Sequence, residues 1–263
     1  RKKKFFTQPL VTDVFEPGSI LKPIIIAILL EHQMIDESTK IFCENGQYPL
    51  AGHSIKEASL QKHQWLSIKE ILKKSSNIGM VKLVEKIPME FLENELEKFG
   101  FFKKTGIELA GESRGSKPFK KGPLERATLS FGQGLSVTPI QLVQAYLVLA
   151  SGGLLVTPTL LKQEKPVLKR IIKLDTSNKI TALLNDVIAD GTGKKAQLNY
   201  LHLAGKTSTA QKIIQGKYQQ HISSIVAYSS NNDDRFLVLI YADEPKTKNY
   251  FAGTLIAPYI KKI

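Results

Sequence analysis

The stretch VFEPGSILKPIIIAILLEH, residues 14–32, places a serine and a lysine at the start of a long apolar run. Ser19 and Lys22 are three positions apart, so their side chains share one face if a helix begins at this point. The pattern predicts a helix over residues 20–33, in which Pro23 is tolerated because a first-turn residue needs no N–H partner. Since the run is apolar on nearly every side, we expect this helix to lie at the centre of the fold.

Composition and charge limit the class of protein. The chain has 263 residues, of which 42% are hydrophobic and 23% charged, so it is long and apolar enough to bury a globular core. Lysine and arginine number 37 against 24 aspartates and glutamates, a formal net charge of +13. This excess favours an anionic partner, such as an acidic substrate or membrane headgroups. Because the basic runs lack interleaved aromatic residues and a recognisable nucleic-acid-binding fold, we expect no nucleic-acid partner.

Cysteine and histidine usage argues against a disulfide or a metal centre. Cys43 is the only cysteine, which leaves neither an intrachain disulfide nor a cysteine-based zinc cluster. The five histidines show no metal-ligand spacing. The longest apolar run, residues 24–30, is far shorter than the roughly 20 residues that span a bilayer, so it predicts a buried helix.

Helical and extended patterns are segregated along the chain. Helical periodicity marks residues 66–87, with a break at 75–77, and recurs at 89–99, 138–150 and 177–190. Polar, glycine-containing segments at 42–63 and 106–123 predict loops. Residues 200–212, 221–230 and 235–244 predict three consecutive antiparallel strands. Helices first and strands last indicate an α+β fold with a sheet packed on helices.

Three short motifs carry candidate chemistry: Ser19-x-x-Lys22, Ser75-x-Asn77 and the run Lys206-Thr207-Ser208-Thr209. Each is common by chance when taken alone, so their order along the chain is the informative feature. A serine hydroxyl attacks a carbonyl only when a base removes its proton. A lysine is such a base only if its pKa falls well below ~10.4, which burial or a second nearby cation achieves.

Six segments are informative through their order and spacing along the chain: TDVFEPGSILKP (12–23), SSNIGMVKL (75–83), SFGQGLSVTPIQLVQAY (130–146), GTGKKAQ (191–197), AGKTSTAQK (204–212) and YADEP (241–245). Together they resemble the transpeptidase domain of class B penicillin-binding proteins, most closely the septal cell-division type. The resemblance extends over residues 11–258, nearly the whole chain. It implies an antiparallel sheet packed with helices, plus an all-helical part.

The resemblance also implies a role for each motif residue. Ser19 is the implied nucleophile, Lys22 its general base and Lys206 the cation that lowers the pKa of Lys22. Ser75 is implied to pass the proton to the leaving amine. The implied substrate-binding residues are Asn77, Thr207, Ser208 and Thr209.

Substrate recognition follows from the same resemblance. The backbone N–H groups of Ser19 and Thr209 are implied to stabilise the oxyanion. The hydroxyls of Thr207 and Thr209, with Lys206, are implied to bind the terminal carboxylate of a D-alanyl-D-alanine stem peptide or of a penicillin. The family has glycine where this chain has Ser208, so we expect the added CH₂OH to crowd the site.

The function implied by the family is peptidoglycan cross-linking in septal cell-wall synthesis by a serine D,D-transpeptidase, without metal or organic cofactor. The implied partners are stem peptides, β-lactams and division-machinery membrane proteins, including a glycan polymerase. In the full-length protein the resemblance implies an inner-membrane anchor and a catalytic domain on the periplasmic side.

The family also predicts what precedes the first motif. A membrane anchor, a pedestal domain and two sheet strands lie there in the family, whereas 18 residues precede Ser19 here. We therefore expect residues 1–263 to form one transpeptidase domain without its first strands, helical over about 20–190 and extended over about 200–245. An exposed sheet edge would make such a domain marginally stable or prone to aggregate.

Other classes of protein share some of these motifs. A catalytically degenerate relative would bind partners or β-lactams without cross-linking. A serine β-lactamase or D,D-carboxypeptidase would need a positioned water for deacylation. Gly205-Lys206-Thr207 also matches the end of a P-loop, but a P-loop needs glycine where Tyr200 stands, which disfavours a nucleotide-binding site.

Overall fold

A computed structural model describes residues 8–58, 62–162, 167–214, 217–230, 235–247 and 249–263. The helices are α1 (Pro9–Thr12), α2 (Lys22–Glu31), α3 (Ile68–Lys74), α4 (Asn77–Val84), α5 (Met89–Lys98), α6 (Pro123–Ser130), α7 (Pro139–Ala150), α8 (Leu174–Asp190) and α9 (Ala252–Leu255). The strands are β1 (Lys40–Phe42), β2 (Gln47–Leu50), β3 (His53–Lys56), β4 (Trp65–Ser67), β5 (Leu154–Val156), β6 (Leu168–Arg170), β7 (Leu203–Ile214), β8 (Lys217–Ser229) and β9 (Leu237–Asp243).

The central helix predicted from the opening stretch is α2. A 3₁₀ turn at Gly18–Ile20 leads into it, and every residue from Lys22 to Leu29 is buried. Pro23 lies in the first turn, where it costs no hydrogen bond. The helix ends at Glu31, earlier than predicted, because Gln33 adopts a left-handed conformation with φ 55°.

The predicted break between two helices is present at residues 75–77. Ser75 ends α3 in a left-handed conformation with φ 59°, and the Ser76 side chain caps α4 by accepting the Gly79 N–H at 2.9 Å. At the other end of α3, Ser67 and Glu70 form a capping box. The end of α3 at Ser75 and the cap of α4 at Ser76 therefore fix the backbone of the second motif.

Within the described ranges, β7, β8 and β9 form an antiparallel sheet in that order, as predicted. Lys206 on β7 lies opposite Val226, and Ser208 lies opposite Ser224. Side chains alternate along a strand, so Lys206 and Ser208 face the same side of the sheet. The α+β class predicted from the sequence is confirmed.

Two apolar cores cover the two faces of this sheet. The larger core contains α2, and Val226 packs into it from the sheet. The smaller core joins Ile225 to Ile256 and Ile260 near the C-terminus. Because neighbouring residues of β8 enter different cores, the strand is buried on both faces, and β7 beside it holds Lys206 in an interior position.

The predicted loop at residues 42–63 was wrong in part. It contains the hairpin β2–β3, whose turn residues Ala51 and Gly52 both have positive φ. Each strand has only four residues, too few to produce a clear alternating pattern, and Pro49 disguises the first. The sequence reading also missed α6, although Gly122-Pro123 followed by Glu125 is a helix-start signal. Helix α8 begins at Leu174, three residues before its predicted start.

Within the described ranges no helix has both the length and the hydropathy that crossing a membrane requires.

Candidate active site

Ser19 lies in the 3₁₀ turn that immediately precedes α2. The Gly18 N–H donates to Gly132 O at 2.8 Å, and the Tyr146 hydroxyl donates to Ile20 O at 2.7 Å. Gly132 has φ 85°, and a Cβ built there would overlap the Gly18 carbonyl. Hydrogen bonds on both sides of Ser19 thus hold the turn, and the lack of a side chain at Gly132 lets the two backbones approach.

Lys22 is fully buried and joins the first motif to the second. Its Nζ donates to Ser75 O at 2.7 Å, to Asn77 Oδ1 at 2.8 Å and to Ser75 Oγ at 3.2 Å. The Ser19 hydroxyl has no hydrogen-bond partner among the residues that the structure describes. Its predicted contact with Lys22 is not formed in this structure, where Lys22 Nζ donates to Ser75 and Asn77 instead.

Lys206 brings the third motif to the same place. It is the fourth residue of β7 and is fully buried, and its Nζ donates to Ser75 Oγ at 3.0 Å and to Thr207 O at 3.1 Å. The Ser75 hydroxyl consequently lies within hydrogen-bond distance of both Lys22 Nζ and Lys206 Nζ. Residues separated by more than 180 positions in the sequence thus form one polar cluster inside the protein.

Burial sets the protonation behaviour of the two lysines. It lowers the pKa of Lys22 well below the ordinary value, and the nearby charge of Lys206 lowers it further, whereas the Glu57 carboxylate opposes both effects. Burial also lowers the pKa of Lys206 to about 7. Two buried amines with lowered pKa values, each within hydrogen-bond distance of the Ser75 hydroxyl, can exchange a proton through that hydroxyl.

Glu57 supports the second motif and was not found from the sequence. Its Oε2 accepts the Asn77 N–H at 2.6 Å, and its Oε1 accepts the Ser76 hydroxyl. The Asn77 side-chain amide also donates to Lys56 O at 3.2 Å, at the end of β3. An isolated glutamate in a predicted loop carries no sequence signal, because its partners lie about 20 residues away and become visible only in the fold.

The hydroxyl groups of both threonines in the third motif form hydrogen bonds within the protein. Thr207 Oγ1 donates to Thr192 Oγ1 at 2.7 Å, and Thr209 Oγ1 accepts the Ala252 N–H at 2.9 Å. Carboxylate binding by these hydroxyls stays a prediction. Thr192 belongs to the GTGKKAQ segment, whose order in the chain was informative but to which the sequence assigned no role. Its contact identifies it as a supporting residue of the site.

Ser208 contacts the backbone of the candidate nucleophile. Its side chain is 3% exposed, and its Oγ accepts the Ser19 N–H at 2.8 Å. It also packs tightly on Gly18, since a Cβ built there would overlap Ser208 Oγ. One of the two N–H groups predicted to stabilise an oxyanion is therefore hydrogen-bonded to Ser208 in this structure.

No group of three His, Cys, Asp or Glu side chains within the described ranges is arranged to hold a metal ion. Cys43 is buried and free, and the Ser76 hydroxyl contacts its Sγ at 3.6 Å. This thiol therefore contacts the middle residue of the second motif.

Comparison with known proteins points to the same family as the motif order. A family model described as the penicillin binding protein transpeptidase domain matches residues 1–263. Stage V sporulation protein D of Bacillus subtilis is 36% identical over 270 residues, which covers 96% of this chain and 42% of that protein. Peptidoglycan D,D-transpeptidase FtsI of Escherichia coli K12 is 32% identical over 256 residues, which covers 94% of this chain and 42% of that protein. The chain thus spans less than half the length of these relatives.

A solved structure gives the same result. The transpeptidase domain of penicillin-binding protein 3 from Burkholderia pseudomallei superimposes with a TM-score of 0.89 at 28% identity, covering 95% of this chain and 78% of that one. These findings confirm the resemblance first inferred from the motif order. The chain belongs to the penicillin-binding protein transpeptidase family.

Proposed function

We propose that this domain cross-links peptidoglycan by serine acyl transfer, with Ser19 as the nucleophile and a D-alanyl-D-alanine stem peptide as the acyl donor. The observation that carries the proposal is the Ser75 hydroxyl, which accepts from Lys22 Nζ at 3.2 Å and from Lys206 Nζ at 3.0 Å beside the turn that holds Ser19. This arrangement supplies a base, a proton relay and a second amine in one buried cluster.

Acylation begins with the neutral form of Lys22. Its burial favours loss of the ammonium proton, so its Nζ can accept the proton of Ser19 Oγ as that oxygen bonds to the carbonyl carbon of the penultimate D-alanine. The C–N bond to the terminal D-alanine then breaks. The proton passes from Lys22 through the Ser75 hydroxyl to the leaving amine, which departs as free D-alanine.

Backbone and side-chain donors orient the substrate during this step. The N–H groups of Ser19 and Thr209 stabilise the tetrahedral oxyanion. Asn77 holds a peptide amide of the stem. Lys206 and the Thr207 and Thr209 hydroxyls bind the terminal carboxylate. Thr207 must redirect its hydroxyl proton from Thr192 to the substrate, whereas Thr209 accepts the Ala252 N–H and can donate its own proton at the same time.

Transfer completes the cross-link. The amine of a neighbouring stem peptide attacks the acyl-enzyme carbonyl and the bond from that carbon to Ser19 Oγ breaks. The proton of the amine returns through Ser75 and Lys22, and Ser19 regains its hydroxyl proton. A β-lactam follows the first half of this route, because its carboxylate and strained amide mimic the D-alanyl-D-alanine terminus. Its ring-opened leaving group stays attached and blocks the second half.

The setting of the activity follows from the substrate. Stem peptides lie outside the cytoplasm, so we place the catalytic domain on the periplasmic side of the inner membrane in the full-length protein. The names of the relatives, a peptidoglycan D,D-transpeptidase and a sporulation protein, support a role in cell-wall synthesis. We propose that this role is septal and that the partners are division-machinery membrane proteins, including a glycan polymerase.

A peptide assay tests the proposal. The chain is incubated with a pentapeptide that ends in D-alanyl-D-alanine and with a labelled D-amino acid as acceptor, beside Ser19→Ala as the control. We expect Ser19-dependent release of D-alanine together with incorporation of the label. Release without incorporation would indicate a D,D-carboxypeptidase, and neither event on folded protein would indicate a degenerate relative.

A further inference from the structure

The contact between Ser208 and the Ser19 backbone has a consequence for the reaction. We infer that the Ser208 hydroxyl is an internal ligand of the oxyanion site, which must leave the Ser19 N–H before that group can bind a substrate carbonyl. This inference rests on the proposed function, because the oxyanion site exists only if Ser19 is acylated. It makes Ser208 a residue that sets the rate of acylation.

The geometry of the contact supports occupation. Ser208 Oγ lies 2.8 Å from Ser19 N, inside the roughly 2.7–3.1 Å that an oxyanion keeps from its donor. A hydrogen bond weakens steeply when the N–H points more than about 60° away from its acceptor, so one N–H serves a single oxygen well. A carbonyl oxygen at the best position would therefore meet Ser208 Oγ.

The position of Ser208 in the sheet explains why its hydroxyl reaches this donor. Lys206 and Ser208 are two residues apart on β7 and so face the same side of the sheet, and the turn at Gly18–Ile20 contacts this side through the Ser19 N–H, which donates to Ser208 Oγ. A Cβ built on Gly18 would overlap Ser208 Oγ and would lie 2.9 Å from the Ala210 Cβ. With glycine at position 208 no side chain would enter this space, and the Ser19 N–H would be open to a substrate.

Burial makes the contact persistent. Ser208 is 3% exposed, so water does not compete freely for the Ser19 N–H. A buried donor that loses its acceptor without gaining another is destabilised. Exchange of Ser208 Oγ for a substrate oxygen therefore happens in one step with substrate entry, and the broken hydrogen bond adds to the barrier for acylation.

The test compares acylation rates of three forms of the full chain. Wild type, Ser208→Ala and Ser208→Gly react with a fluorescent penicillin in stopped flow, and the second-order rate constant of each is measured. We expect both variants to react about tenfold faster than wild type, which corresponds to about 1.4 kcal/mol of activation free energy. The alanine variant keeps the Cβ, so equal acceleration in both variants assigns the effect to the hydroxyl.

The matched control is Ser177→Ala. Ser177, on α8, is also a buried serine. Its hydroxyl donates to the backbone carbonyl of Leu149, on α7, at 2.6 Å. Its loss removes one buried hydrogen bond without touching Ser19, and we expect the wild-type acylation rate. A second readout, amide hydrogen exchange at Ser19 without ligand, is expected to be faster in both Ser208 variants and unchanged in Ser177→Ala.

The outcomes separate the inference from the proposed function. Wild-type rates in both Ser208 variants overturn the inference, as does slowing in both, which would make the hydroxyl a donor to the oxyanion. Acceleration in Ser208→Gly alone also overturns it, because the obstacle would then be the Cβ. If no form gives a Ser19-dependent adduct on folded protein, the proposed function itself fails.

Discussion

At the scale of single residues, the proposed chemistry depends most on Lys22. Its ammonium group is fully buried and has three hydrogen-bond acceptors from Ser75 and Asn77. These contacts fix its position, while burial and the charge of Lys206 lower its pKa. The same surroundings therefore hold the base in place and favour its reactive, neutral form.

The lowered pKa predicts how acylation depends on pH. Only the neutral amine accepts the Ser19 proton, so the acylation rate should rise as pH increases through the pKa of Lys22 and level off well below pH 10.4. Penicillin acylation rates measured from pH 5 to 9.5 check this profile. A rate that does not rise with pH at the acid end of this range would contradict the role of Lys22 as base, whereas a fall above pH 7 would reflect loss of the Lys206 charge that binds the substrate carboxylate.

Lys22→Arg tests the same role without removing the positive side chain. A guanidinium stays protonated throughout this pH range, so it cannot accept the Ser19 proton. We expect acylation to fall by about 10²–10⁴-fold, the usual contribution of a general base. Lys86→Arg, on a residue without an assigned role between α4 and α5, serves as the control and should react at the wild-type rate.

At the scale of elements, the helix junction at residues 75–77 matters because the two lysines meet there. Caps on α3 and α4 fix its backbone, and the Glu57 carboxylate accepts from both Ser76 and Asn77. The hairpin β2–β3 therefore supports the site from a segment with no motif of its own.

Glu57→Gln is predicted to loosen this junction. A glutamine has one acceptor oxygen where the carboxylate has two, so one charge-assisted hydrogen bond is lost, worth about 1.5–3 kcal/mol. Loss of the negative charge also lowers the pKa of Lys22 further, because Glu57 opposes its depression. We expect a lower maximal acylation rate with its rise shifted to lower pH, measured beside Glu37→Gln, the same change at an exposed residue. An unshifted pH profile of the acylation rate would show that Glu57 does not influence the pKa of Lys22.

Helix α2 is predicted to contribute strongly to folding. Ile25 is fully buried in the larger core, and Ile→Ala at such a position costs about 2–5 kcal/mol of unfolding free energy. Leu174→Ala, at a residue that is 57% exposed, should change the free energy of unfolding by less than about 0.5 kcal/mol. Urea unfolding of both variants gives the comparison, and equal small losses would show that α2 is not central.

At the scale of the whole molecule, burying Lys22 and Lys206 costs stability. The pKa of Lys206 is about 7 in the folded protein and ~10.4 in an unfolded chain. Between these values the unfolded chain binds more protons, so the free energy of unfolding should rise with pH from 7 toward 10. Tyr146 and Tyr228, whose pKa values are raised by burial, oppose this trend only above pH 10.

Urea unfolding at pH 7, 8 and 9.5 measures this slope. Lys206→Met removes one of the two titrating amines, so its stability should depend less on pH than that of wild type. The remaining slope comes from Lys22, whose pKa is also lowered. Identical slopes in the two proteins would mean that Lys206 is not the source of the pH dependence.

The sequence revealed local features of the fold more fully than distant ones. Helix α2 and the break at residues 75–77 were predictable because periodicity and caps depend on neighbouring residues. Motif order then assigned Ser75 and Lys206 to one site. The sequence placed Ser208 at the site and predicted crowding there, but it predicted neither the hydrogen bond from the Ser19 N–H to Ser208 nor the contact of Glu57 with Asn77. Ser208 contacts Ser19 across 189 positions, and no local pattern specifies a contact of that kind.

The most direct test of the proposed function is the mass of the intact protein after incubation with benzylpenicillin. We predict a persistent increase equal to the mass of one penicillin molecule in wild type and no increase in Ser19→Ala, with a cooperative melting transition confirming that both proteins are folded. An unmodified mass in folded wild type, or an adduct that persists in Ser19→Ala, would contradict serine acyl transfer at this site.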